Sequence, residues 1–240
     1  MTKLNESIKN INLPIRMCSL PISPKGYPVP WFVGWVKDFD EPDWPYPTPT
    51  KVECLPGEGE PDFRLIGSGK IDAAVQKHLC WICGQPMGAF KAFVIGPMCA
   101  VNHVSSEPPS HLECAQYACI ACPFLTNPRM RRNDKEKPEH TNVAGIMIDR
   151  NPGVTLIWVT TGYKLKPNGR NGVLFNIGVP SSLFWYREGR QANHDEIMQS
   201  IDSGYHILMR IAKQDGPKAI KELEYMYQQA LKLVPSKLSA

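Results

Sequence analysis

Four thiol and imidazole side chains in the middle of the chain have the spacing of ligands to one metal ion. They are Cys80, Cys83, His111 and Cys114. Two thiolates separated by two residues can chelate an ion while the chain turns tightly, and Gly84 relieves that turn. The second pair is three residues apart, which predicts one shared face in the first turn of a helix capped by Ser110. Zinc accepts sulfur and nitrogen ligands without redox chemistry, so we predict that the ion is zinc.

The elements between the two ligand pairs indicate the type of zinc module. A strand is expected at 90–95, with room for a partner strand before Pro108. The tight turn at Cys80–Cys83 is a zinc knuckle. A knuckle, a hairpin and two ligands from a helix start form the layout of treble-clef modules, and we predict a treble-clef module over residues 78–125. Four protein ligands close a tetrahedral ion to water, which predicts a structural role.

Further thiol and imidazole side chains in the same block could form a second metal site. They are Cys99, His103, Cys119 and Cys122. The spacings C-x3-H and C-x2-C suit a second zinc ion. Buried cysteine is also a common small core residue, so both interpretations stay open.

His103 allows an alternative function, a metal-dependent hydrolase or nuclease of the HNH type. It follows Asn102 next to the zinc module, and a histidine in such a place can activate water on a metal-bound phosphate. That chemistry needs further His or Asn ligands on the following helix, where His111 is better used for zinc. No other catalytic pattern stands out, so the sequence favours a protein that is not an enzyme.

A polar segment, 127–140, follows the block and carries five basic and three acidic residues. We predict an exposed linker. Arg129, Arg131 and Arg132 could contact phosphates there, although the interleaved acids favour a solvated segment.

The segments after this linker predict a sheet. Residues 154–161 and 173–179 are β-branched and aromatic, and residues 167–172 are typical of a hairpin turn. We therefore predict that these two segments pair as an antiparallel hairpin with Lys164, Lys166 and Arg170 near its tip. A further strand is expected at 183–186.

Two helices are predicted at the C-terminal end. Asn193 and Glu196 form a capping box for the first helix, Gly216 ends it, and Pro217 begins the second. The apolar stripes of both helices predict a helical hairpin packed on the sheet. 

The aromatic content of this half of the chain allows a third hypothesis, a small-ligand pocket between the sheet and the helical hairpin. Its lining would be Trp158, Trp185 and Tyr186.

The first quarter of the chain is rich in proline and predicts extended segments. A buried strand is expected at 30–36, a surface loop at 38–62, a short strand at 63–66 and a short helix at 70–79.

The composition limits the functional class. The net charge of +4 becomes +3 when three thiolates and one neutral histidine bind zinc, which is too small to indicate nucleic-acid binding by itself. No segment has the apolar length of a signal peptide core or a membrane span. Eight cysteines without such a signal predict a reducing, cytoplasmic location.

Several segments together resemble a set of uncharacterised proteins encoded by bacteria and phages. They are GYPVPWFV at 26–33, CWICG at 80–84, FVIGPMC at 93–99, PPSHLEC at 108–114, CPFL at 122–125 and WYREGR at 185–190. The resemblance covers most of the chain, which implies one integrated domain over 1–240. It implies no activity. It also implies that Arg is usual where His103 stands, which weakens this histidine as a ligand or base.

Taken together, the sequence predicts an α+β fold with an antiparallel sheet, a treble-clef-like zinc module and a C-terminal helical hairpin. The leading functional hypothesis is a zinc-stabilised binding protein that contacts nucleic acid or a protein partner and no membrane.

Overall fold

The computed structural model describes residues 3–39, 51–127, 153–168 and 172–237. These residues form a mixed fold of antiparallel sheets and helices, with a pair of helices at the C-terminal end. The predicted α+β class is therefore confirmed. In the described ranges, no helix combines the length and apolar character that spanning a membrane requires.

The strands of the described part are short. They are β1 (Val33–Asp38), β2 (Lys51–Cys54), β3 (Glu60–Ile66), β4 (Lys91–Ile95), β5 (Val104–Ser105), β6 (Thr155–Thr160), β7 (Tyr163–Asn168), β8 (Gly172–Ile177), β9 (Ser182–Arg187) and β10 (Arg190–Gln191). The α-helices are α1 (Lys70–Gln76), α2 (Pro97–Asn102), α3 (Leu112–Ala121), α4 (Pro123–Thr126), α5 (His194–Asp215) and α6 (Pro217–Leu231). A single turn of 3-10 helix covers Ile15–Met17.

The central sheet has the strand order β10-β9-β6-β4, and β6 is buried along its whole length. Side chains alternate across a strand, so the apolar run of β6 supplies both faces of the sheet. Leu156 and Trp158 pack toward α5. Ile157 and Val159 pack toward α3, whose first turn carries one side chain of the Cys3His group described below.

A second sheet has the order β5-β8-β7, and its pairing corrects the predicted hairpin. β8 pairs with β7 and β5, whereas β6 pairs with β4 and β9. β7 ends at Asn168, which pairs with Gly172 at the start of β8, so the partner of β8 is the polar segment that lies just before it in the chain. The strand at 183–186 is confirmed as β9, and Arg170 lies outside the described residues.

The N-terminal sheet has the order β2-β1-β3. The strand predicted at 30–36 is β1, which begins later, at Val33, and the strand predicted at 63–66 is the end of β3. The predicted loop over 38–62 is wrong in part, since β2 lies in it and β3 begins at Glu60. Both strands pair with β1. Residues 40–50 lie outside the described part.

The helical hairpin follows the prediction closely. The Asn193 side chain accepts from the Glu196 amide, and the Glu196 carboxylate accepts from the Asn193 amide. Gly216 separates α5 from α6, and Pro217 occupies the first turn of α6. α2, which no pattern predicted, packs against both helices through Val101.

The three aromatic rings proposed to line a small-ligand pocket do not face one space. Trp158 and Trp185 are buried in the central core, against which Leu233 and Val234 pack. Tyr186 belongs to the cluster on the opposite face of the sheet. The three rings therefore cannot line one pocket as predicted, because alternation along β9 places Trp185 and Tyr186 on opposite faces.

Candidate metal centre

The knuckle that carries the first ligand pair is a tight turn closed by backbone hydrogen bonds. The amide of Cys80 donates to the carbonyl of Gln85 at 2.8 Å, and the amide of Gly84 donates to the carbonyl of Cys80 at 2.9 Å. Gly84 has a φ of +72°, which glycine adopts without a steric penalty. A Cβ at this position would also lie 2.5 Å from the Trp31 ring, so the sequence places glycine where two constraints coincide.

The second ligand pair lies at the start of α3. His111, with extended backbone, is the N-cap residue of this helix, and Cys114 lies in its first turn. The prediction that Ser110 caps the helix is wrong, because the backbone of Ser110 exchanges two hydrogen bonds with Ala92 of β4. This bridge attaches the start of the helix to the central sheet.

The hairpin of the treble-clef layout is also modified. The predicted strand at 90–95 is β4, and the strand before Pro108 is β5. β5 pairs with β8 rather than with β4, and α2 occupies the chain between them. The knuckle and the helix start are joined directly, because the amide of Trp81 donates to the carbonyl of Pro109 at 3.0 Å. The Ser110 bridge attaches the helix start to β4.

The fold brings the four predicted ligands into one cluster. One ligand atom from each of Cys80, Cys83, His111 and Cys114 lies within 4.8 Å of the others. His111 Nδ1 is 3.4 Å from Cys83 Sγ and 4.0 Å from Cys114 Sγ. Cys80 and Cys114 are 0% exposed, so solvent does not reach these two thiols.

The hydrogen bond of His111 determines which ring nitrogen faces the thiols. Nε2 lies 3.1 Å from the carbonyl oxygen of Pro86, so Nε2–H donates and the Nδ1 lone pair is directed to the cluster. Metal-bound histidines are typically oriented by such a second hydrogen bond. The Pro86 carbonyl is a functional group that sequence reasoning missed, because a backbone acceptor leaves no signal in residue types.

Backbone amides stabilise negative charge on the Cys80 sulfur. The amides of Cys83 and His111 donate to this Sγ at 3.4 and 3.3 Å. Hydrogen bonds from the Cys114 and Cys83 thiols, together with these amides, hold the pKa of Cys80 far below its ordinary value, although burial opposes this. The pKa of Cys114 is raised, because its thiol donates to Cys80 and Cys83. A divalent cation would neutralise this charge and allow all three thiols to ionise.

An apolar shell surrounds the cluster and contains much of the N-terminal segment. Ile8 and Met17 are buried against the ligand cysteines and Tyr117, and Leu13 and Leu20 pack on the same group. Arg16 forms an ion pair with Glu113 of α3 at 2.9 Å. No local pattern predicted that this segment would enclose the cluster, because its contacts are remote in sequence.

The structure does not bring the second set of candidate ligands together. Within the described ranges, the group of Cys80, Cys83, His111 and Cys114 is the only one with three or more close metal-ligating side chains. Cys99 packs on the central core, and Cys119 packs with Ala92 and Ile157 between α3 and the sheet. Burial raises the pKa of Cys99, and burial is also the leading cause of the raised pKa of Cys122. Cys119 is buried and Cys99 and Cys122 are half-buried, and the raised pKa of each thiol keeps it neutral.

His103 has a structural environment rather than that of a catalytic base. It ends α2 with a φ of +54°, and its ring lies 5.0 Å from the ring of Trp158. Its carbonyl accepts from the amide of Ile177. Burial lowers the pKa of the imidazole. No described residue joins it in a metal-ligating group, so the nuclease hypothesis gains no support from the geometry.

Arg129, Arg131 and Arg132 and the predicted linker beyond Asn127 lie outside the described residues. No protein-family model matches the chain, and no curated protein or solved structure matches it significantly. The Cys3His cluster is therefore the feature of this chain that bears on its function.

Proposed function

We propose that this protein is a zinc-stabilised binding protein in which the ion has a structural role. The observation that carries the proposal is the closed Cys3His cluster. Soft thiolates combined with one imidazole suit zinc, whereas calcium and magnesium require oxygen ligands. Four protein donors complete a tetrahedral shell and leave no position for a reacting water.

The surroundings of the cluster support a structural role. The ligands come from a knuckle and a helix start, and the N-terminal segment packs around both. An ion at this place would join three separate parts of the chain. The partner in this proposal is nucleic acid or another protein, with Arg129, Arg131 and Arg132 as sequence-based candidates for phosphate contacts.

The metal content of the purified native protein tests the proposal. We expect one zinc per chain and, after exchange with cobalt, the charge-transfer absorption of a tetrahedral site with three thiolates. Cys114→Ser should lose the metal. Cys18→Ser is the matched control, because Cys18 is exposed and lies outside the cluster, and it should keep the metal. A metal-free wild type, or a metal that both variants retain, would overturn the proposal.

A further inference from the structure

The strand pair β7–β8 carries basic side chains in a part of the sequence without acids. No Asp or Glu occurs between Asp149 and Glu188, whereas Lys164, Lys166 and Arg170 fall within this interval. The small net charge of the whole chain therefore conceals a local positive region. A region of one sign attracts a partner of the opposite sign.

The register of the sheet places the lysines on its solvent face. Lys164 pairs with Asn176, whose neighbours Phe175 and Ile177 are buried in the central core. Tyr163 contacts the ring of Phe175 on that core side. Because side chains alternate along a strand, Lys164 and Lys166 point away from the core, together with Asn176. All three are exposed.

Neither lysine is neutralised within the described part of the chain. Lys164 and Lys166 form no ion pair with any described residue. They are two residues apart on one strand, so about 6.6 Å separates their positions along it. The helical hairpin offers a contrast. Lys218 and Lys221 are also exposed, but Glu222 and Glu224 follow directly and are exposed as well.

We propose that the solvent face of β7–β8, defined by Lys164, Lys166 and Asn176, binds the phosphate backbone of nucleic acid. This inference rests on the proposed function and selects one class of partner for it. Lysine and asparagine side chains are common donors to phosphate oxygens, and two-stranded ribbons are among the elements that dock on nucleic acid.

The edge of the sheet argues against the main alternative, an acidic peptide added as a further strand. β7 pairs only with β8 among the described strands, so its outer edge could accept a strand. Pro167 removes one amide donor from this strand, and lysines on an edge strand discourage such pairing. The exposed face, rather than the edge, is therefore the binding surface.

The test measures binding of zinc-loaded protein to labelled single-stranded and duplex oligonucleotides of roughly 20 nucleotides, which exceeds the usual site size. Anisotropy is recorded over a salt series for the wild type and for Lys164→Gln/Lys166→Gln. We expect the double variant to bind more weakly and to reduce the slope of log K against log salt by about 1.8 on duplex DNA. The control, Lys218→Gln/Lys221→Gln, should keep the wild-type slope.

Each outcome separates this inference from the proposed function. An unchanged slope in the double variant, or an equal reduction in the control, would overturn the inference. So would lysine-dependent binding of poly-glutamate without binding of the oligonucleotides, which would assign the face to an acidic protein. A wild type that holds one zinc but binds no oligonucleotide overturns the inference alone, whereas a metal-free wild type overturns the proposed function.

Discussion

The hydroxyl of Tyr117 lies one helical turn beyond Cys114 of the Cys3His cluster and is buried without a hydrogen-bond partner among the described residues. Leaving such a group unsatisfied costs free energy. We expect Tyr117→Phe to raise the free energy of unfolding by about 1 kcal/mol, because it removes the polar atom and keeps the ring. Urea unfolding of the zinc-loaded protein measures this change.

Tyr227 is the matched control for that substitution. Its hydroxyl donates to Asp202 at 2.5 Å, and burial, followed by this bond, raises the pKa of Tyr227 to about 12. Tyr227→Phe should lower the free energy of unfolding by about 1–2 kcal/mol, because a carboxylate loses its donor. Equal destabilisation by both substitutions would contradict the assignment of Tyr117 as unsatisfied.

At the scale of single residues, the spacing predicted which four side chains the fold brings together. Thiols two residues apart and a His–Cys pair three apart are constrained by the size of one ion, so spacing carries most of the information. Cys99, Cys119 and Cys122 show the limit of this reasoning. A small buried thiol packs as well as it ligates, and only the fold decides between the two.

The knuckle is the element in which one glycine serves the site most directly. Gly84→Ala places a side chain at a φ of +72° and 2.5 Å from the Trp31 ring. We expect a loss of about 2–4 kcal/mol in the free energy of unfolding, the sum of a left-handed alanine and an overpacked contact. Zinc affinity should fall as well, because both ligands of the knuckle shift. Chelator competition and urea unfolding measure the two effects.

Gly88→Ala is the control for the knuckle substitution. No atom lies within 4 Å of a Cβ at position 88, and its φ is not in the left-handed region. This variant should therefore change the free energy of unfolding by less than about 0.5 kcal/mol. A zinc affinity reduced as much by Gly88→Ala as by Gly84→Ala would remove the special role of Gly84.

The capping box of α5 should give this helix a measurable dependence on pH. Hydrogen bonds from Arg190 and from the Asn193 amide, with the charge of Arg187, lower the pKa of Glu196 to about 2. A carboxyl whose pKa is lower in the folded state stabilises the fold above its unfolded pKa of about 4.3. This contribution is lost as the pH falls toward 2.

Two substitutions separate the charge of Glu196 from its hydrogen bond. Glu196→Gln can still accept from the Asn193 amide and should cost only about 0.5 kcal/mol at pH 7, because the ion pair is screened by solvent. Glu196→Ala removes the box and should cost about 1 kcal/mol. Thermal unfolding at pH 7 and at low pH measures both, and a cost of Glu196→Gln that stays constant with pH would contradict the assignment.

The elements differ in how well local patterns predict them. The capping box, Gly216 and Pro217 specify α5 and α6 because every signal lies within a few residues of the boundary. β7 was missed because its alternation is short and polar, whereas the neighbouring apolar run of β6 suggested a better partner for β8. Strand pairing is decided by contacts that are remote in sequence, and periodicity does not report them.

On the scale of the whole molecule, the apolar contacts of the described residues fall into separate clusters, and the residues of the Cys3His group belong to one that is distinct from the central core. The N-terminal residues Ile8 and Met17 pack on the ligand cluster. The central core around Trp158 and Phe175 is formed by two sheets and α5 without any ligand. The border between these two clusters is where the prediction of one integrated domain can be tested. A metal shared by several segments would couple the stabilities of those segments.

Removal of the metal should therefore open the molecule in a defined order. Zinc binding in small modules contributes about 10–16 kcal/mol, which is comparable to the stability of a whole domain. After chelation we expect amide exchange to increase first over residues 4–31 and 79–87, whose apolar side chains or turns surround the cluster. β6 and β9 should retain protection longer, because the central core supports them.

Hydrogen exchange with mass spectrometry resolves these segments, and chelator saturated with zinc is the control. A uniform increase over all segments would mean that the metal holds the entire chain in one cooperative unit, and an unchanged pattern would mean that the cluster holds no structural ion.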